Sequence, residues 1–442
     1  MTAKPKIVVL DDDPTGSQTV HSCLLLTKWD VDTLRFGLRD SAPIMFVLTN
    51  TRAIEPEAAD RVTREVCHNL KQAIAAENIA EYMVVSRSDS TLRGHYPIET
   101  DAIAAETGPF DAHFLVPAFF EGGRVTIDST HYLIIDGKPV PTHDTEFAKD
   151  SVFGYSTSYL PDYVAEKTKG KIAAEQVERF LLADIRAGSL DRLLALSNNQ
   201  CGVVDAETQA DLDKFAADVL AAAAQGKKFL FRSAASILTA LAQLPPQPVA
   251  PEQMSTYVRT DQPGAVIVGS HVKKTTAQLA QLLKQPGVAA IEIEVKQLLT
   301  PFNRDLLLQQ ALEQVRSAHG AGKTPVVYTS REELQFEDVQ TRLKFGEEVS
   351  DLLMQIVKGL PAETSFLISK GGITSNDVLS KGLELTTARL LGQIIAGCSV
   401  VRTPAEREHL PNLPVVLFPG NVGDDDALAT VYQRLTTRKP TN

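Results

Sequence analysis

The sequence predicts an α/β protein of two domains with largely parallel core sheets and an active site in the cleft between them, and three observations predict it. The 442 residues are about three times the ~150 expected of a single domain. Short apolar runs recur, each followed by a polar or Gly-containing turn and then a segment of helical spacing, which is the pattern of α/β units. Between two such stretches lie Pro245, Pro246, Pro248, Pro251 and Pro263, too many prolines for a helix or a central strand. The domains are therefore expected at residues 1–243 and 265–442, joined by a proline-rich linker at 244–264.

In the first half, apolar runs bounded by turn residues predict strands at 7–10, 44–48, 82–85 and 114–116. Residues 55–77 read as a helix, because Ala58, Val62, Val66, Leu70 and Ile74 fall on one stripe. Strands at 203–204 and 229–231 flank an Ala-rich helix at 210–224 and join the same sheet. Beyond the linker the alternation restarts, with strands at 265–268, 290–293, 325–328, 366–368 and 415–418. Helices are expected near 275–283, 305–318, 337–357 and 424–435.

Composition narrows the class of partner. Hydrophobic residues make up 43% and charged residues 22%, ordinary for a soluble globular chain. Lys and Arg number 44 against 55 Asp and Glu, a net charge of -11, so the overall field repels polyanions and no nucleic-acid partner is expected. Cys23, Cys67, Cys201 and Cys398 form no CxxC pair, which argues against a zinc module or a disulfide scaffold. No run of about 18 apolar residues occurs, and the apolar stretch at 7–10 is too brief for a signal peptide. A cytoplasmic protein without membrane contact is the expectation, and assembly into a homo-oligomer stays open.

In open α/β sheets ligands gather outside the carboxyl ends of strands, and three polar motifs of the first half stand there. Asp11, Asp12, Asp13, Pro14, Thr15 and Gly16 follow the first strand; three adjacent carboxylates repel one another and call for a cation, donors or a metal. A solvated turn capping a helix is the plainer alternative. Ser86, Arg87, Ser88, Asp89, Ser90, Thr91, Leu92, Arg93 and Gly94 follow the strand at 82–85. Two guanidiniums and four hydroxyls suit a ligand bearing a carboxylate and many hydroxyls, and a structural loop of Arg–Asp pairs is the alternative. Thr49, Asn50, Thr51 and Arg52 form a weaker third cluster, and His95 beside the Arg-rich loop is a further contact candidate.

The second half carries glycine loops. Lys370, Gly371, Gly372, Ile373, Thr374 and Ser375 lie between a strand and a short helix expected at 376–379, where backbone N–H groups can converge on a phosphate. Pro419, Gly420, Asn421, Val422 and Gly423 stand in the same relation to the last strand, and Gly269, Ser270 and His271 make a third loop. None matches GxxxxGK[ST] or GxGxxG, so simple tight turns remain the alternative. An acidic-polyol site in one domain and phosphate loops in the other describe a small-molecule kinase, which needs positioning, Mg²⁺ to bridge phosphates and a base for the attacking hydroxyl.

Two rivals remain. Asp11, Asp13 and Thr15 also fit the DxDxT of haloacid dehalogenase-type phosphatases, with Thr49 as a second motif and Asp424, Asp425 and Asp426 as metal ligands, although capping is the simpler role for those last three. A non-catalytic acid-sugar binding protein is the other.

Taken together, these motifs resemble the four-carbon acid sugar kinases, and the resemblance covers nearly the whole chain. That family has a DDLTG-like motif, here Asp12, Asp13, Pro14, Thr15 and Gly16, and a K-x-DSTLRG-like motif, here Arg87 to Gly94. Its P-A-F-x-x-x-G-R element matches Pro117, Ala118, Phe119, Gly123 and Arg124, its GGxTS-like loop Gly371, Gly372, Thr374 and Ser375, and its S-G-N-F-G-like loop Gly420, Asn421 and Gly423. The resemblance implies a kinase using ATP and Mg²⁺ on threonate, erythronate or 3-oxotetronate. It implies ATP contacts from Ser270, Gly371, Gly372, Ile373, Thr374 and Gly420, joined by Asn421 and Gly423 of the same loop. It places Asp12, Asp13, Arg87, Asp89 and Arg93 at the acid-sugar site, where Arg52, Ser90 and Thr91 are added as neighbours. Asp12 is then the expected base and Arg93 its catalytic partner; the metal ligands are unassigned. The family's Leu is Pro14 here, its Lys is Arg87, its Glu in the glycine loop is Ile373, and its Lys-Ser before the late glycine is Phe418 and Pro419.

Overall fold

The opening apolar run becomes a wholly buried strand in the computed structural model, β1 (Lys6–Asp11), at the centre of a parallel sheet. The structure describes residues 4–300, 303–331, 334–336 and 338–437. The chain divides into two units, with the break between Pro246 and Gln247.

In the first unit β1 is followed by β2 (Leu24–Leu26), β3 (Ile44–Leu48), β4 (Tyr82–Arg87) and β5 (Ala112–Val116). An antiparallel meander comes next, β6 (Arg124–Ile127), β7 (Thr130–Ile135) and β8 (Lys138–Pro141), and then β9 (Glu178–Phe180), β10 (Gln200–Val204) and β11 (Phe229–Ser233). The order β2-β3-β1-β4-β11-β5-β10-β9 is parallel throughout. Runs such as IMFVL in β3, buried at every position, are what a sheet covered on both faces requires. From β1 the chain turns first to β3 on one side and then to β4 on the other, so the topological switch point lies at the carboxyl end of β1.

The helix Pro56–Glu77 starts with Pro in its first turn and ends at Asn78 in the left-handed region (φ 54°), a favourable start and stop. Its buried seam runs through Ala59, Thr63, Val66, Cys67, Leu70, Ala73 and Ile74. The expected stripe at Ala58 and Val62 is only half-buried, because steps of four residues overshoot the 3.6-residue turn and wind off the contact face. At the other side of the sheet, Phe114 is fully buried among Phe180, Phe215, Phe229 and Phe231, with ring centroids 5.4–5.6 Å away.

The second unit repeats the scheme with β12 (Ala265–Val268), β13 (Val288–Ile293), β14 (Thr324–Thr329), β15 (Leu367–Lys370), β16 (Thr387–Ile395), β17 (Cys398–Arg402) and β18 (Pro414–Phe418). In the order β13-β14-β12-β15-β18-β17-β16 the first five strands are parallel and the last two antiparallel. The β16–β17 hairpin was not expected: β16 carries register shifts around Gly392 and Gln393, which break the alternation that marks a strand in sequence. The meander β6–β8 and the short β2 and β9 were not anticipated either. The helix expected from 337 begins at Val339, and its first expected residue lies outside the described ones. The proline-bearing stretch is not all tether. Pro251–Tyr257 is a 3-10 helix, Met254 is fully buried in the second core, and the Gln247 side chain bonds both N and O of Gln393.

Phe114→Ala should lower the stability of the first unit by about 3–5 kcal/mol, read as a fall in its urea midpoint. An unchanged midpoint would mean the aromatic cluster is not the element that holds the sheet.

Candidate active site

Register brings the polar motifs of the first unit together. Asp11 pairs with Leu48 of β3 and with Arg87 of β4, and Arg87 pairs with Ser233 of β11. The four strands β3, β1, β4 and β11 thus end at one level and deliver Arg52, Asp12, Arg87 and Arg232 side by side. Backbone bonds continue past the strands: Thr49 N donates to Asp11 O (2.9 Å), Arg52 N to Asp12 O (3.2 Å) and Ser88 N to Ser233 O (2.8 Å).

The charges are tightly interlocked. Arg52 forks onto Asp12, through Nη2 to Oδ1 and through Nε to Oδ2 at 3.2 Å, and its Nη1 lies 3.5 Å from Asp13 and 3.7 Å from Asp89. Ser88 Oγ donates to Asp12 Oδ2 at 2.6 Å. Burial alone would raise Asp12, but Arg52, helped by Arg232 and Arg87, outweighs it and holds the carboxyl below its ordinary range. Asp89 is treated likewise: Arg52 and Arg93 overcome its burial and hold it well below the usual carboxylate range. Asp11 goes the other way. Burial is the largest influence, Asp12 and Asp13 add repulsion, Arg87 at 3.5 Å only partly compensates, and the group is pushed up to about 8. At neutral pH Asp11 is therefore mostly protonated. Its carboxyl also presses on Gly16, where a Cβ would come within 1.9 Å of Oδ1.

The Arg-rich loop is held from behind by its carbonyls. His131 Nε2 donates to Ser90 O (2.8 Å), Tyr155 OH to Thr91 O (2.8 Å) and Tyr163 OH to Leu92 O (2.7 Å). Gly94, at φ 119°, lets the backbone approach Asp12, since a Cβ there would meet Ser88 Oγ at 2.4 Å and Arg232 Nη2 at 2.5 Å. Arg93 donates to Asp89 at 2.9 Å and lies over the Phe147 ring. Thr91 Oγ1 is spent on Asp89, and His95 bonds the carbonyls of Thr51 and Ile54, a structural role.

Arg232 and Glu99 escaped the sequence reading. Arg232 Nη1 bonds Glu99 Oε2 (2.8 Å) and Ser86 Oγ (3.1 Å), and Arg232 lines a small cavity with Ser88, Asp89, Arg93 and Ser233. The signal was present, because Arg232 and Ser233 end a strand as the other motifs do. The cavity encloses about 20 Å³, room for about one water, so a larger ligand would occupy its mouth, where Arg93 is partly exposed. Arg87 Nε, Arg124 Nε and Ser233 Oγ are buried without a hydrogen-bond partner in the protein.

In the second unit Val268, Lys370 and Phe418 pair in register, so their following loops also start level. Gly371 N donates to Phe418 O (2.8 Å), and Thr275 Oγ1 reaches both Ser270 Oγ and Gly420 O at 3.2 Å. Ser270, Gly371, Gly372, Ile373 and Thr374 line a cavity of about 380 Å³ whose wall includes Val272, Phe336, Phe345, Leu353 and Met354. Ile373 is 72% exposed. Gly420, Asn421 and Gly423 all stand outside that lining; Gly420 adjoins Ser270, and Asn421 and Gly423 are exposed. A glycine-lined rim beside an apolar hollow of this volume fits a nucleotide, with phosphates at the rim and base in the hollow. Among the described residues no group of three His, Cys, Asp or Glu stands ready to hold a metal ion, and the carboxylates after β1 are engaged by Arg52 and Arg87.

Arg52→Met should cost the first unit about 3–5 kcal/mol at pH 7 by leaving Asp12 buried without its partner. Asp12 sits below its ordinary 3.8 in the wild type, so that contribution is present above this value and is lost as pH falls through the native pKa. In the variant burial reverses the shift, and the deficit should shrink between pH 7 and about 4.5. Urea unfolding at both pH values checks this; equal deficits would mean that Arg52 acts by packing and not by charge.

Comparison with known proteins agrees with this division. Residues 7–241 match the sugar-binding N-terminal domain family and residues 265–428 the nucleotide-binding C-terminal domain family. The chain is 23% identical to the D-erythronate kinase of Heliobacterium modesticaldum over 464 aligned positions, 98% of this chain and 97% of that one. A solved structure from Salmonella typhimurium LT2 superposes with a TM-score of 0.72 at 17% identity, covering 97% of this chain and 98% of the other. One from Haemophilus influenzae gives 0.65 at 17% identity over 97% and 100%. With the two domain families matched in this order, the chain belongs to the family of the four-carbon acid sugar kinases.

Proposed function

We propose that this protein transfers the terminal phosphoryl group of ATP to a hydroxyl of a small acid sugar, most simply a four-carbon tetronate such as threonate, erythronate or 3-oxotetronate. The observation that carries the reading is the pairing, in one chain, of a guanidinium-lined site at a sheet switch point with a glycine-lined cradle beside an apolar hollow. Guanidinium forks match a carboxylate bidentately, and Arg93 and Arg232, with the unpaired Ser233 hydroxyl, offer that chemistry. The named activity of the Heliobacterium relative supports the same substrate class.

Phosphoryl transfer through a loose transition state asks the protein for positioning and charge rather than for covalent chemistry. Asp12, kept ionised by Arg52, is a weak Brønsted base whose two oxygens already accept from Arg52 and Ser88; taking the proton of the attacked hydroxyl requires the substrate to replace one of those donors. Arg87 and Arg93 hold the substrate carboxylate or the transferring charge. Mg²⁺ brought with the nucleotide would supply charge neutralisation for the transferring phosphoryl group. The dehalogenase-type alternative needs Asp11 as an ionised, reachable nucleophile. Asp11 is as buried as Asp12 but is pushed up to about 8 where Asp12 is lowered, and Asp424, Asp425 and Asp426 are exposed at the start of the last helix, so that reading is disfavoured.

ADP release with Mg-ATP against threonate, erythronate, oxotetronates and glycerate tests the proposal, with nucleotide-free phosphate release from sugar phosphates as the control. ADP formation dependent on one acid is expected. Asp12→Asn should lower kcat by about 10²-fold or more with KM for ATP nearly unchanged. Asp11→Asn, which mimics the protonated acid, should stay within a few-fold of wild type. Nucleotide-independent phosphate release abolished by Asp11→Asn would establish the phosphatase instead.

A further inference from the structure

Lys370 is the last residue of β15 and has no solvent exposure, an unusual place for an ammonium. Its Nζ donates to Pro419 O (2.5 Å) and Gly420 O (3.0 Å) and lies 4.2 Å from the centre of the Phe418 ring. These contacts bear on the loop's geometry. A trans peptide is planar, with C=O and N–H on opposite sides, so a carbonyl drawn inward turns the next N–H outward. Lys370 thus aims the N–H groups of Gly420 and Asn421 away from the core. The next carbonyls are held as well: the buried Gln278 donates through Nε2 to Val422 O (2.9 Å) and Asp424 O (2.8 Å), and the exposed Lys274 through Nζ to Gly423 O (3.0 Å). A run of outward N–H groups is an anion-binding nest.

We propose that Lys370 is the positioning cation of the nucleotide cradle, tying the turn at Pro419 and Gly420 to the loop at residues 371–374 and placing its charge beneath the phosphates. This rests on the nucleotide-binding reading of the second unit. Burial is the largest influence on Lys370 and lowers it to about 7. The titratable groups that bear on it are Cys398 of β17, itself kept protonated by burial, and Lys274 of the helix Lys273–Leu282, which disfavours the charge further. The late turn supplies only backbone carbonyls. A bound polyphosphate restores the ammonium, so binding above pH 7 takes up a proton at Lys370, and affinity falls as pH rises.

The test is titration calorimetry of the full chain with Mg-ADP at pH 8, in two buffers of different ionisation enthalpy, with affinities measured from pH 7.5 to 9. Phosphate ionisation, with a pKa of about 6, is complete there. Wild type should take up about half a proton or more and lose affinity by up to about tenfold per pH unit. Lys370→Arg should keep affinity at pH 7.5 within a few-fold and lose both effects; Lys370→Met should bind at least about tenfold more weakly, also without pH dependence. No proton uptake and flat affinity in the wild type overturn the proposal even if the variants do not fold. A folded Lys370→Met that binds like wild type overturns it too, with nucleotide binding intact. A wild type that binds no Mg-ADP at any pH overturns the nucleotide reading, and the proposal with it.

Discussion

The fork of Arg52 onto Asp12 is the interaction on which the first unit's site depends. It joins the chain after β3 to the chain after β1 and decides the charge state of what lies nearby. A carboxylate taken out of water is costly unless a cation and donors replace the lost hydration, and here Arg52 and Ser88 supply them. With Asp12 ionised, the adjacent Asp11 cannot easily ionise as well, and burial raises it until it is mostly protonated. The three consecutive aspartates are thereby sorted: one neutral and structural, one ionised and locked, one partly exposed. Gly94 and the carbonyl grips of His131, Tyr155 and Tyr163 exist in the service of this arrangement, holding the Arg-rich loop at the distance Asp12 requires.

The second unit reaches a complementary end by different means. Its parallel strands also finish level around a switch point, but its candidate ligand groups are backbone N–H rather than guanidinium. Side chains there act on carbonyls, as the buried Gln278 and the exposed Lys274 do. The contrast follows from the ligands each would take. A small acid sugar must be told from its relatives, which calls for directional forks; a polyphosphate presents the same oxygens in every case, and oriented amides suffice.

Much of this was legible beforehand because a parallel sheet imposes a rule: polar residues directly after a buried apolar run stand at the ligand-binding edge. Asp12, Arg52, Arg87, Asp89 and Arg93 are expected at that edge by this rule and stand there, as do Ser270, Gly371 and Gly372. Arg232 obeys the same rule and was passed over because FLFRS looks like a strand running into a loop with a single charge. Glu99 could not have been found so, since it enters the site from the helix Ile98–Thr107. The β16–β17 hairpin was hidden by its bulge, and Ala58 and Val62 were misplaced by reading a strict four-residue step where the helix turns every 3.6. Gly420, Asn421 and Gly423 stand outside the lining of the second unit's cavity, and Thr275 Oγ1, which reaches both Ser270 Oγ and Gly420 O, ties their loop to it.

By itself the sequence determined the alternation of strands and helices, the all-buried character of the central strands and the level at which the motifs would emerge, since these depend on local pattern and on the chain's own order. Which motifs became neighbours, and with what charge, was decided only by tertiary structure. Strand order and register are non-local, so nothing within β1 says that Arg52, Arg87 and Arg232 will surround it. Protonation follows from the same cause, because the desolvation that raises Asp11, the guanidinium that lowers Asp12 and the core that lowers Lys370 all come from residues distant in the chain and brought close only by packing.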